Sequence, residues 1–347
     1  MIKKFILKTA YFILPAVFLF GISFIGLIRT ESPDVLRMGM IPNIYKHYRD
    51  RFDLSEKENF ERLSKTKKRD FDFLTMGDSF SEQKGYGYNH FLAEEYNTLH
   101  VDEFISNNQL QTLISLINGG FFDDYKVKYV VLQNVEREFI DNSKRISFKT
   151  KISQSQLDSL IVNHHEKLEK DEKDSEFFSR STLQFPLYYM PKFFICKDYL
   201  SNDLIYNYSL NSKKLFSNKS DKLLFYKYDI ISLTESNKLL NVVSLNTILN
   251  KISHKLQEKN IRLIVLPSPD KYDMYYDYIA NKTNLMKPLF FEHFRPLKKE
   301  YLYIDSKEIL KRHLNDEPDI YFYDDTHWSP IASKILVKEI KKVIQNR

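Results

Sequence analysis

The sequence predicts an α/β fold built on a mostly parallel central sheet. Two observations carry this. Short apolar runs with strand character recur along the chain, at FDFLTMG (71–77), KYVVLQN (128–134) and IRLIVLP (261–267). Segments with apolar residues at helical spacing lie between them, and strands alternating with helices imply a layered, mainly parallel sheet. The chain has 347 residues, 43% of them hydrophobic, which is enough to bury a sizeable core.

The elements follow in order. Residues 9–28, TAYFILPAVFLFGISFIGLI, carry no charge and are preceded by Lys3, Lys4 and Lys8. About 20 apolar residues suffice to cross a membrane, and lysines ahead of the run keep the N-terminus in the cytoplasm. A cleaved signal peptide has a shorter core and a small-residue cleavage site, which Leu27, Ile28, Arg29 and Thr30 do not supply. The expectation is an uncleaved signal anchor over 1–28, a polar juxtamembrane stalk over 29–70, and a catalytic domain over 71–347. In that domain FDFLTMG is a buried strand stopped by glycine, and a helix begins near Tyr88. NTLHV (97–101) reads as a second strand. Leu110, Leu113, Ile114 and Ile117 mark a helix that Gly119 and Gly120 end. KYVVLQN is the third strand.

Residues 146–225 differ in composition. They hold the charge run EKLEKDEKD and the aromatic patch FPLYYMPKFF, and are expected to form a helical insert outside the sheet. His164 and His165 fall in the charged run and are expected to be solvated, whereas His90 is expected to pack. A helix follows at about 236–258, then strands at 261–267 and 301–305. Ser329 as N-cap and Pro330 in the first turn open the last helix, whose apolar stripe is Ile331, Ile335, Ile340, Val343 and Ile344.

Several classes are excluded or disfavoured. The net charge of +6 is spread without a basic block, so no nucleic-acid partner is expected. Cys196 is the single cysteine, which excludes an intramolecular disulfide and a cysteine-based zinc cage. Glycine ends at Gly120, so no glycine-rich phosphate loop lies beyond it. Metal-ligand spacing is absent, and no cofactor is expected.

Two segments carry chemistry. In MGDSFS (76–81) a strand ends at Gly77, and Asp78 and Ser79 occupy the turn before a helix. Ligands of open α/β sheets bind beyond the carboxyl ends of strands, where a serine offers an exposed hydroxyl and a backbone N–H. The bare G-D-S also fits a helix cap. In YDDTHWSP (323–330) an aspartate two or three residues ahead of His327 can orient a general base. The same segment also fits a helix-entry turn. Taken together, a nucleophile at the end of the first strand and an Asp–His pair before the last helix make one coherent arrangement.

Here the sequence resembles the SGNH/GDSL hydrolase superfamily. GDSF matches its first block and DDTH its last, in the usual chain order. VLPSPDKYDMYY (265–276) resembles the P-x-K-x-x-x-Y segment of the SGNH-like proteins of cell-surface polysaccharide O-acetylation, the alginate acetylation group among them. The runs DTHWSP and VLQNVEREF (131–139) resemble theirs too. The resemblance covers about 71–139 and 240–347 and leaves the insert uncovered. In the alginate proteins the Asp–His segment precedes the serine segment; here the serine comes first, which relates the chain to the broader SGNH-like class.

The resemblance implies a three-layer SGNH-type fold with Ser79 as nucleophile and His327 as base. The hydrolase spacing D-x-x-H selects Asp324 as the orienting carboxylate, and the acetylation-group spacing D-x-H selects Asp325, the preferred reading. The superfamily adds oxyanion-hole donors after its second and third strands. Asn134 is the candidate after the third, and Asn107 or Asn108 could replace the missing glycine after the second. Glu136 and Arg137 fit a structural ion pair. Lys271 fits either a substrate contact or a surface lysine.

The function this implies is a membrane-anchored serine acyl-ester enzyme, an O-acetyltransferase acting on a cell-surface glycan. An esterase of the same fold is the alternative, and a non-catalytic glycan-binding subunit of an export or modification complex a second. The expected location is the cell membrane, single-pass, with the catalytic domain outside the cytoplasm. A membrane-embedded acyltransferase is the expected partner.

Overall fold

The computed structural model describes residues 2–28, 52, 57–102, 105–173 and 204–345, with no side-chain description for residues 20, 22–28 and 168–173. Most of the expected stalk, the aromatic patch 185–194 and Cys196 lie outside the described residues.

Six parallel strands form the central sheet: β1 (Glu61–Arg62), β2 (Asp70–Met76), β3 (Thr98–His100), β4 (Lys126–Val135), β7 (Arg262–Ser268) and β8 (Leu302–Tyr303). Their order is β1-β3-β2-β4-β7-β8. All carboxyl ends therefore open on one edge. Every expected strand is present. β1 is an addition: residues 61–62, assigned to the stalk, pair with β3 through Glu61 opposite Leu99 and Arg62 opposite His100. Two residues are too few to leave a periodic signal.

Strand alternation divides the core in two. Phe73, Val131, Ile264 and Leu266 face one side, where α2 (Tyr88–Leu92), α8 (Ser306–His313) and α9 (Pro330–Gln345) pack. Leu74, Leu132, Leu263 and Val265 face the other, covered by α3 (Gln109–Asn118), α4 (Glu136–Lys144) and α6 (Leu239–Gln257). The result is a three-layer α/β arrangement. Asn108 caps α3 by accepting the Gln111 N–H at 3.1 Å. Beyond α3, Gly120 takes φ 84°, and a Cβ on Gly119 would stand 1.8 Å from the Ile152 carbonyl oxygen. The stop is therefore both conformational and steric. Ser329 Oγ accepts from Ile331 N–H at 3.1 Å and opens α9 as expected.

The insert departs from the purely helical expectation. It contributes α5 (Gln154–Lys173) and an antiparallel hairpin of β5 (Ile205–Ser209) and β6 (Lys222–Tyr226), which forms its own sheet outside the central one. His165 of α5 is not merely solvated, because its Nε2 lies 2.7 Å from the Ser64 carbonyl oxygen. His90 packs as expected, with its Nδ1 accepting the Asn59 N–H at 3.2 Å.

Residues Ile2–Ile28 form one helix, α1. Among the described residues no helix is long and apolar enough to cross a membrane.

Truncation in the layer under β7 tests the core. Leu249 on α6 is fully buried. Leu249→Ala should lower unfolding stability by about 2–5 kcal/mol, read as a fall in the urea midpoint at constant m-value.

Candidate active site

The end of β2 runs into a turn at Gly77–Asp78–Ser79. Asp78 fixes that turn. Its Oδ1 accepts from the Phe80 N–H at 3.0 Å and Gln133 Nε2 at 2.9 Å, and its Oδ2 from the Val135 N–H at 2.5 Å. Gln133 Oε1 in return accepts the Asp78 N–H at 3.1 Å and the Ser81 hydroxyl at 2.8 Å. The ends of β2 and β4 are thus stitched together by buried side chains. A Cβ on Gly77 would stand 2.1 Å from Ser81 Oγ and 2.2 Å from Gln133 Oε1, so only glycine fits. With its neighbours held in this way, Ser79 remains exposed at the carboxyl edge of the sheet. Its backbone N–H has no acceptor among the described residues.

The second half of the site is a tight loop ahead of α9. Tyr321 and Trp328 bridge antiparallel, the Ser329 N–H donates to Ile320 O at 2.8 Å, and the Phe322 N–H donates to His327 O at 3.1 Å. These bonds fold residues 322–327 into a tight turn that is buried except at His327. Within it Asp325 is buried, and its Oδ1 lies 2.6 Å from His327 Nδ1 and 3.1 Å from the His327 backbone N–H. His327 Nε2 lies 2.7 Å from Ser79 Oγ. An ionised carboxylate only accepts, so Asp325 holds the proton on Nδ1 and leaves Nε2 to accept the serine O–H. Phe80 packs at 4.8 Å from the imidazole and 4.9 Å from Trp328, limiting the ring's freedom to turn. The structure therefore selects Asp325 over Asp324 as the partner of the histidine. Asp324 is also buried, near the Lys271 ammonium.

Lys271 is the residue that sequence reasoning misplaced. It is neither on the surface nor open to a substrate. It is fully buried at the start of α7 (Lys271–Tyr275), and its Nζ donates to the carbonyl oxygens of Phe322 at 2.6 Å, Tyr323 at 2.7 Å and Asp325 at 3.0 Å. An ammonium has three N–H donors, one for each carbonyl. Burial pushes Lys271 down to about 7, opposed by the carboxylates of Asp324, Asp229 and Asp319. The hairpin backs the same loop: Phe216 lies 5.3 Å from Tyr323, and the Ser217 N–H donates to Asp319 Oδ1 at 2.9 Å.

The expected oxyanion donors fall elsewhere. Asn134 is buried on the opposite face of β4, where its Nδ2 donates to Gln109 Oε1 at 2.9 Å and its Oδ1 accepts from Asn142 Nδ2 at 3.3 Å. Asn108 is committed to capping α3 and to Asn142 O at 2.9 Å. Asn107 is exposed in the preceding loop. Arg137 is indeed in an ion pair, but with Asp270 and, at 3.5 Å, Asp229, rather than with Glu136. Glu136 instead accepts the Asp270 N–H at 3.3 Å, and burial together with Asp273 and Asp270 holds its carboxyl well above the usual range.

Residues 220–347 match the family model of the SGNH hydrolase-like domain, acetyltransferase AlgX. The matched region holds Lys271, Asp325 and His327, and Ser79 lies ahead of it. No significant match was found among curated proteins or solved structures. The family match and the α/β architecture agree with the SGNH-like resemblance, and an SGNH hydrolase-like region suggests acyl-ester chemistry.

Removing the lysine brace should loosen the Asp–His loop. Lys271→Met strands three carbonyls and takes a cation away from Asp324. It should cost about 3–5 kcal/mol of stability, measured by denaturant unfolding, and a retained midpoint would contradict the brace.

Proposed function

We propose that this protein is a membrane-anchored serine acyl-ester enzyme, an O-acetyltransferase that modifies a cell-surface polysaccharide. The observation that carries this reading is the hydrogen-bonded chain Asp325–His327–Ser79, with 2.6 Å and 2.7 Å links. Ser79 Oγ attacks the acyl carbonyl as His327 Nε2 takes its proton. The oxyanion of the tetrahedral intermediate is stabilised by the Ser79 backbone N–H. Collapse expels the donor's oxygen, which receives the proton from His327, and leaves an acyl-serine. A sugar hydroxyl then gives its proton to His327 and attacks the acyl carbon, and collapse releases Ser79, whose Oγ takes that proton back from His327. Water in place of the sugar would make the same site an esterase. The match to an acetyltransferase family model favours transfer.

The anchor belongs to the same reading. α1 is apolar around its circumference, with Phe5, Tyr11, Phe12, Leu14 and Phe18 all more than half exposed. A helix hydrophobic on every side calls for an apolar surrounding. Lys3, Lys4 and Lys8 at its start favour an N-terminus in the cytoplasm and a catalytic domain outside. An acyl donor made inside the cell would then reach Ser79 through a membrane-embedded acyltransferase partner.

Kinetics with 4-nitrophenyl acetate test the chemistry. Ser79→Ala and His327→Ala should each lower kcat by about 10⁶, and Asp325→Asn by a smaller factor of roughly 10⁴. Unchanged turnover in either of the first two would remove the reading. Deleting residues 1–30 should release a folded, soluble domain from the membrane fraction. A truncated chain that stays membrane-bound would overturn the anchor.

A further inference from the structure

We infer that the exposed apolar patch around the first turn of α6 docks on the surface of a lipid bilayer and turns the carboxyl edge of the central sheet, with Ser79, toward it. The inference rests on the proposed anchor for the bilayer it meets and on the patch itself for its chemistry.

Outside α1, the exposed large apolar side chains of the described residues, Val162 apart, belong to one region. Tyr228, Ile231, Leu239, Leu240 and Val243 follow one another along the chain, and Leu240 is 83% exposed. Leu204 joins them because its carbonyl oxygen accepts the Lys227 N–H at 2.7 Å. Met286 joins them because Asn237 donates to Lys287 O at 2.8 Å and accepts the Leu289 N–H at 2.7 Å. Exposed apolar side chains concentrated in this way mark an interaction surface.

Charge and tether select the occupant. Lys227, Lys238 and Lys287 accompany the patch, and Lys227 and Lys287 make no ion pair among the described residues. The nearby acids are taken. Glu235 pairs with Lys144 at 2.5 Å and with Lys238, and Asp229 is buried against Arg137 at 3.5 Å. α6 itself contains no Asp or Glu. Leucines, an isoleucine and a half-exposed tyrosine beside lysines suit the boundary between acyl chains and phosphate headgroups. There the ammonium groups stay with the phosphates while the apolar side chains enter.

The attachment of the chain points the same way. Residues 29–51 join α1 to Phe52 and can reach at most about 80 Å. The Phe52 ring lies 5.6 Å from that of Phe322, in the Asp–His loop, so the tether meets the domain beside the active site. The patch stands on that edge too. Asp229 contacts Arg137 at the start of α4, just beyond β4, and α6 runs from this side of the sheet back to the start of β7. A domain that is tethered and apolar on one edge sets that edge against the bilayer. Acyl groups supplied from the membrane would then arrive on the side where Ser79 opens.

Quenching by lipid-borne nitroxides tests the surface. The full chain, as Cys196→Ser, receives one bimane-labelled cysteine at a time through Leu240→Cys, Phe12→Cys or Asp124→Cys. Each is reconstituted in phosphatidylglycerol–phosphatidylcholine vesicles that contain a doxyl-labelled lipid. Phe12 reports the anchor, and Asp124, exposed just ahead of β4, reports the opposite edge of the sheet. The label at 240 should be quenched about threefold or more above the label at 124. Lys227→Gln combined with Lys287→Gln should lower the ratio of quenched to unquenched label at 240 by about tenfold or more. Equal quenching at 240 and 124, with quenching at 12 intact, would overturn the docking surface and leave the anchor standing. Quenching at 240 without quenching at 12 would uphold the surface and remove the anchor. A label at 240 that lipid does not quench but that is shielded from aqueous iodide would assign the patch to a second copy of the chain and overturn the lipid surface.

Discussion

The hydrogen bond between Ser79 and His327 joins two turns 248 residues apart in the chain, and the rest of the site depends on it. Beyond the packing of Phe80 on His327 and Trp328, each turn has fastenings of its own. The serine turn is fastened from below by Asp78 and Gln133, which join the ends of β2 and β4. The histidine turn is fastened from behind by the Lys271 ammonium and by the backbone bonds around Tyr321 and Trp328. A short bond between separately anchored groups requires little reorganisation when a proton moves along it. Preorganisation of that kind is where most of an active site's electrostatic advantage originates.

The anchoring groups are expensive ones. Behind the site lie Glu136, Arg137, Asp229, Asp270, Asp273 and Lys307, buried or nearly so. Lys307 pairs with Asp273 at 2.6 Å, and the Glu136, Asp229 and Asp270 carboxyls are all raised, with burial the leading cause. A buried ion network is weak evidence for stability, since desolvation offsets its attraction. Its geometric consequence is clearer. Arg137 bonds to Asp270, and the Asp270 N–H bonds to Glu136, so the start of α4 is fixed to the end of β7 immediately before Lys271. The network thus sets where the brace begins.

The sequence disclosed the frame and the Ser79–His327–Asp325 cluster well. Every expected strand formed, because buried parallel strands leave dense β-branched runs such as YVVL. Ser79, His327 and Asp325 came together because their motifs fix each to a strand or helix end. Asn134 failed for a reason of parity. Side chains alternate along β4, so Gln133 shares the face of the serine turn and Asn134 looks away from it. A motif comparison names the strand end but does not set that register. Lys271 failed because PSPDKYD has the composition of a surface turn, and only tertiary contacts bury its ammonium. β1 and the β5–β6 hairpin were missed because one is too short to show periodicity and the other sits in a segment dominated by its charged and aromatic flanks.

The central claim is that Ser79 is a nucleophile activated by His327. Its most direct test is labelling with a serine-directed fluorophosphonate, followed by peptide mass spectrometry of the full chain in detergent. The account predicts one adduct, on Ser79, that disappears in His327→Ala. An adduct on another serine, or none on a folded wild-type protein, would contradict it.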